Sequence, residues 1–207
     1  VNTSESVRLL HEVDYLAGRS NFVMTTAPRN ATMLSRLYDL QTNERANLFK
    51  KYLGWWQYYA LSAQSLRGTD HKPNDVLLNP DGGNLASVIY RLKTSDERCY
   101  RRLLEHLRKV DPRIDLINFN VPSEGNVFMF FEDKAGNRLP AMNASSGTLR
   151  FLALTYILMG QPVGDLCPLL IIEEPENGIY VGFLKNLLDI AEAARQPSQL
   201  VFTSHSP

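Results

Sequence analysis

Three groups of polar residues close apolar segments in a way that would serve ligand chemistry. The first is Pro168-Leu169-Leu170-Ile171-Ile172-Glu173-Glu174-Pro175-Glu176. Leu169 to Ile172 has the length and character of a buried strand, which delivers Glu173 and Glu174 to its carboxyl end. In open α/β sheets that end is where ligands bind. Pro175 cannot continue a central strand, so the two carboxylates are held where the backbone leaves the sheet. There one carboxylate can hold Mg²⁺ through water while the other orients and deprotonates an attacking water. A solvated acidic turn explains the same residues equally well.

The second group, Ala144-Ser145-Ser146-Gly147-Thr148-Leu149-Arg150, directly precedes an apolar helix. Ser145 or Ser146 can cap that helix, and Gly147 lets an anion approach the free amides of its first turn. A plain N-cap needs the same serines. The third group is Ser204-His205-Ser206-Pro207, after the strand-like Leu200 to Thr203. A histidine at a strand end can donate to a phosphate oxygen, although a lone histidine is more often structural.

In this order, each at the edge of one helix–strand unit, the three groups resemble the ABC-type ATPase heads of the RecF, SMC and OLD-like group, which are AAA-family ATPases within the P-loop NTPases. ASSGTLR is similar to the ABC signature, LLIIEEPE to the Walker B strand with its catalytic acid, ENGIY to the D-loop and FTSHSP to the switch histidine. The resemblance is specific from about Leu139 to Pro207, and LLNPDGGNLASVIYRL is similar to the arm-side segment of the family. It implies an α/β fold: a P-loop NTPase head with a parallel sheet core and a helical arm-side subdomain. Residues 1–125 would form the arm-side part and 126–207 the signature, Walker B, D-loop and switch-histidine part.

The resemblance also implies ATP and Mg²⁺ as ligands, with hydrolysis to ADP and phosphate. Glu173 would support the metal, Glu174 would be the general base, and His205 would contact the γ-phosphate. Ser145, Ser146 and Gly147 would form the nucleotide-binding turn that meets ATP on the partner subunit. Asn177 and Gly178 would lie at the interface of a homodimer closed around ATP. Two departures stand out: Glu173 replaces the usual Walker B aspartate, and Ala144, Ser146 and Thr148 replace residues of the LSGGQ form. The second weakens a transporter assignment and favours the soluble branch, in DNA maintenance or phage and plasmid defence. A nucleotide-gated DNA-binding scaffold with little turnover is one alternative. A metal-dependent nuclease built on Glu173, Glu174 and Glu176 is another.

A phosphate-cradling loop of the form G-x-x-x-x-G-K-[ST] is not found, because none of the glycines is followed by lysine. Gly18-Arg19-Ser20 is the nearest imitation, but Val13 stands where the first glycine belongs, and LLHEVDYLA reads as helix rather than strand. The resemblance implies that the P-loop lies upstream, with this segment the distal part of a head that would not retain ATP tightly by itself. The opening VNTSES and the stop directly after a strand give the same expectation, that both ends are cuts in a longer chain.

The 207 residues carry 22 Lys+Arg and 22 Asp+Glu, a balance that excludes a protein built on bulk positive charge. Cys99 and Cys167 have no metal-ligand or disulfide-framework spacing, which suits a reduced, cytoplasmic protein. No apolar run reaches the ~18 residues that would span a membrane. Met33 to Tyr52 has helical apolar spacing broken at QTNERAN, and Trp55 to Tyr59 reads as a half-buried strand in the core beneath the arm. RGTDHKPND is a loop. Helices are expected at Leu85 to Leu92, from Ser95 with Ser95 as N-cap, at Thr148 to Met159, and at Phe183 to Ala194 with its apolar face at 183, 184, 187, 188 and 191. Ile114 to Val121 and Val127 to Phe131 read as strands, with DKAGN bending the second back toward Leu139. Apolar strands alternating with helices at the end of the chain argue for a parallel sheet covered on both faces. Arg101, Arg102, Arg108 and Lys109 are candidate DNA-phosphate contacts, but a solvated helix face is the preferred reading.

Overall fold

The computed structural model describes residues 6–10, 22–26, 44–68, 76–122, 125–160, 167–193 and 199–205. The chain divides into two compact units, Val1–Trp55 and Trp56–Pro207. In the first, strands β1 (Ser6–Leu10) and β2 (Phe22–Thr26) pair antiparallel, and helix α1 spans Glu44–Gly54. Leu9 and Leu10 therefore extend in a strand, against the helical reading of LLHEVDYLA, whose remaining residues lie outside the described ones. α1 begins inside the polar QTNERAN stretch, and the helix expected before it also lies outside.

The second unit is built around helix α4 (Ser146–Gly160). Its residues from Phe151 to Leu158 are all buried, as an almost uniformly apolar helix requires. Helices α2 (Leu85–Ser95) and α3 (Glu97–Val110) form one flank. α3 is strongly amphipathic and buries Tyr100, Leu103, Leu104 and Leu107, one face at helical spacing. Its N-cap is Asp96, whose side chain accepts from the Cys99 amide at 2.9 Å. Ser95, the cap expected from sequence, instead ends α2 and donates its hydroxyl to Arg91 O at 2.7 Å. Before α2, Gly82 (φ +83°) must be glycine, since an added Cβ would fall 2.6 Å from Leu66 Cδ2.

Strands β4 (Leu116–Asn120), β5 (Phe128–Glu132) and β6 (Arg138–Pro140) form an antiparallel sheet with β5 central. The DKAGN turn closes the β5–β6 hairpin as the sequence suggested. Asp133 Oδ1 accepts from the Ala135 and Asn137 amides, and Gly136 takes φ +84°. The parallel sheet is β3 (Gln57–Tyr59), β7 (Leu170–Glu173) and β8 (Leu200–Thr203), with β7 in the middle. Helix α5 (Val181–Ala193) connects β7 to β8, as a parallel pair requires.

Burial follows the register of that sheet. Tyr59, Ile172 and Phe202 share a row on the covered face, and Leu170 lies on it too. The row Tyr58, Ile171, Val201 faces the other way, and Tyr58 and Val201 are 49% and 44% exposed. Among the described residues the sheet is thus covered on one face, not both. An apolar run of four residues is compatible with either arrangement. The aromatic cluster divides in the same way: Tyr59 is core, whereas Trp56 and Tyr58 are exposed. On α5 the buried residues are Leu187 and Ile190, while Leu188, expected on the apolar face, is 52% exposed. The described residues form a mixed α/β architecture with a parallel sheet and five helices. No helix among them is long and apolar enough to cross a membrane.

Candidate functional site

β7 and β8 end level with each other, Glu173 paired to Thr203. Glu173 is exposed on the open face of the sheet, where the Tyr58 hydroxyl donates to its Oε2 at 2.6 Å. That bond, reinforced by the carboxylate's charge, pushes the Tyr58 phenol above its ordinary pKa. Directly after the strand, Glu174 takes φ +44°, a left-handed conformation uncommon outside glycine. Its amide donates to Thr203 O at 3.0 Å and Thr203 Oγ1 at 3.3 Å, and its carbonyl accepts from the Asn177 amide at 3.1 Å. A tight turn results, continued by Ile179 N donating to Glu176 O and by Gly178 at φ +72°.

This turn gathers three of the residues singled out in the sequence. His205 Nε2 lies 3.1 Å from Glu174 Oε1, and Asn177 Nδ2 donates to Glu174 Oε2. Glu176 joins them from the same turn, accepting from Ser204 Oγ at 2.6 Å and from the His205 amide at 3.3 Å. The imidazole of His205 is 90% exposed. Both oxygens of Glu174 are engaged in this arrangement.

The Ser145–Gly147 segment lies beside the same turn. Ser145 Oγ accepts from the Thr148 amide at 3.0 Å and shares a 2.7 Å bond with Thr148 Oγ1, so of the two serines it is Ser145 that caps α4. A Cβ added at Gly147 would fall 2.4 Å from Gly178 O, and one at Gly178 would meet Ser146 Oγ at 3.6 Å. Close packing of α4 on the turn is by itself enough to require glycine at 147. Ser145, Gly147, Thr148 and Gly178 face a cavity of about 530 Å³, shared with Asp111 and Arg113 beyond the end of α3. The Arg113 guanidinium grips both Asp111 oxygens at 2.9 Å and holds that carboxyl below its usual pKa.

Tyr58 reaches the site from outside every motif, whereas Thr203, Ser204 and Arg150 stand inside quoted motifs without having been singled out for a contact. Arg150 stands inside the quoted ASSGTLR, but nothing in its spacing reveals that Nη2 reaches Leu61 O at 2.8 Å and Nη1 reaches Glu174 O at 3.4 Å. Burial lowers its pKa, with Glu174 and Glu176 opposing the shift. Arg101 and Arg108 are spent within the protein. Arg101 pairs with Glu97 at 2.6 Å, and Arg108 pairs with the Asp115 carboxylate at 3.1 Å. Both pairs remain open to solvent, with the Arg101 side chain 71% and the Arg108 side chain 40% exposed. Among the described residues no three His, Cys, Asp or Glu side chains gather as metal ligands.

A family model described as "AAA domain, putative AbiEii toxin, Type IV TA system" matches residues 30–207. No curated protein matches the chain.

Proposed function

Since the chain belongs to this AAA-domain family of P-loop NTPase-like domains, we propose that it forms the catalytic edge of an ABC-type ATPase head that hydrolyses ATP to ADP and phosphate between two subunits. The observation that carries this reading is the convergence of Glu174, Asn177 and His205, from two strand ends and the turn between them, into one hydrogen-bonded cluster at the carboxyl edge of a parallel sheet.

In this reading Glu174 accepts the proton of the attacking water. Thr203 and Asn177 hold its backbone, so its carboxylate is presented at a fixed place beyond β7. His205 turns from Glu174 to the γ-phosphate, which frees one oxygen of the base. Ser145, Ser146 and Gly147 offer the start of α4, with its unpaired amides, to the phosphates on the partner subunit. Asn177 and Gly178 lie on the surface that the partner covers. Mg²⁺, when bound, neutralises phosphate charge. Glu173, a hard oxygen donor exposed at the end of β7, would hold it, with phosphate and water supplying the other ligands.

The toxin–antitoxin wording of the family description supports a defence setting over DNA maintenance. A second reading, a nucleotide-gated scaffold with little turnover, is favoured by the engagement of both Glu174 oxygens. Phosphate release from ATP by the natural chain that carries this sequence tests the first reading. Release is expected with Mg²⁺ and is expected to stop with EDTA. Metal-dependent cleavage of DNA without ATP would contradict it and return the acidic cluster to a nuclease role.

A further inference from the structure

Arg150 stands one turn into α4, half-buried, and its planar fork joins two carbonyls from separate segments, Leu61 O and Glu174 O. One turn earlier on the same helix, Gly147 packs directly on Gly178 O. The two contacts bracket the turn from Glu174 to Ile179, with Arg150 on its first carbonyl and Gly147 against its glycine. A non-glycine residue at φ +44° persists only where its surroundings over-determine it, and Arg150 is one of the groups that do so. Packed interiors transmit small displacements instead of absorbing them.

The geometry points to Arg150 as a positioning residue that ties the Glu174 backbone to α4, so that movement at the Ser145–Gly147 turn is carried to the general base of the same subunit. The kinetic consequence rests on the ATPase reading above, while the mechanical one does not. Contact of a partner's nucleotide with the start of α4 would then set the aim of this subunit's own Glu174.

The test compares Arg150→Met, which keeps an unbranched apolar stem and removes both bonds, with Arg150→Lys, which keeps the charge and reaches one carbonyl at a time. Hydrogen exchange is read in the natural chain at the Asn177 and Ile179 amides, whose bonds close the turn. Arg150→Met is expected to lower their protection about tenfold and to leave amides inside α4 unchanged. In ATP turnover, kcat is expected to fall about 100-fold with KM within about twofold, the signature of a misplaced base. Arg150→Lys should fall between. Unchanged protection of the turn in Arg150→Met, or a raised KM with kcat intact, would overturn the assignment. If the unaltered chain releases no phosphate, the ATPase reading fails, yet the exchange measurement still decides whether Arg150 holds the turn.

Discussion

Glu174 bears a backbone cost of roughly 1–2 kcal/mol for its left-handed conformation, and the groups that hold it there are also those that aim its carboxylate. Thr203 fixes its amide, Asn177 and Arg150 fix its carbonyl, and His205 and Asn177 occupy its oxygens. Gly147 supports the arrangement by proximity alone. Gly147→Ala would drive a methyl into Gly178 O and should destabilise the fold by about 1–3 kcal/mol in urea unfolding. Unchanged stability would mean that α4 and the turn do not touch as described. Glu174 and His205 were legible as candidates because strand ends leave a pattern in sequence, while Asn177 entered only through the resemblance of ENGIY to a D-loop. Tyr58 was not, since it reaches Glu173 from 115 positions away through strand pairing. The choice between Ser145 and Ser146 also needed coordinates, because either hydroxyl suits an N-cap and only the bond to the Thr148 amide decides.

At the scale of elements, residue patterning and turn signals located α2, α3, α4, α5 and the strands from β3 onward, and they failed at the edges of these elements. Ser95 and Asp96 are both good caps, so sequence alone could not rank them. The Ser95 hydroxyl turns back to Arg91 O, which leaves Asp96 to cap α3. Asp96→Ala should therefore cost about 1 kcal/mol in thermal or urea unfolding, and Ser95→Ala no more than about 0.5 kcal/mol. The reverse order would restore Ser95 as the cap. The apolar run Leu169 to Ile172 announced a buried strand correctly but not which face is covered. That information lies in the register, which puts Tyr58, Ile171 and Val201 in one open row. Asp111 adds a pH dependence. Arg113 depresses its folded pKa, so its contribution to stability is present above about pH 4 and is lost as pH falls through the folded value. Arg113→Ala should flatten that acid limb of the stability profile, and an unchanged limb would show the pair to be idle.

For the molecule as a whole, the balance of 22 basic and 22 acidic residues gives no net charge to drive association, so a dimer must rest on local surfaces. Tyr180 and Val181, 72% and 77% exposed, follow the Glu174–Ile179 turn, and Tyr180 lines the cavity at the start of α4. If two subunits close on nucleotide there, the Glu174→Gln chain should double its mass with ATP in light scattering. Tyr180→Asp should return it to the monomer, and a monomer under every condition would contradict the shared site. The division between catalytic and partner-facing residues then depends on one chemical claim, that Glu174 is the base for ATP hydrolysis. Steady-state phosphate release by the natural chain and by its Glu174→Gln variant, at equal ATP and Mg²⁺, addresses it most directly. Loss of about 100-fold or more in kcat with ATP binding retained is the expected result. Equal rates in the two proteins would remove Glu174 from the reaction and leave its cluster a structural turn.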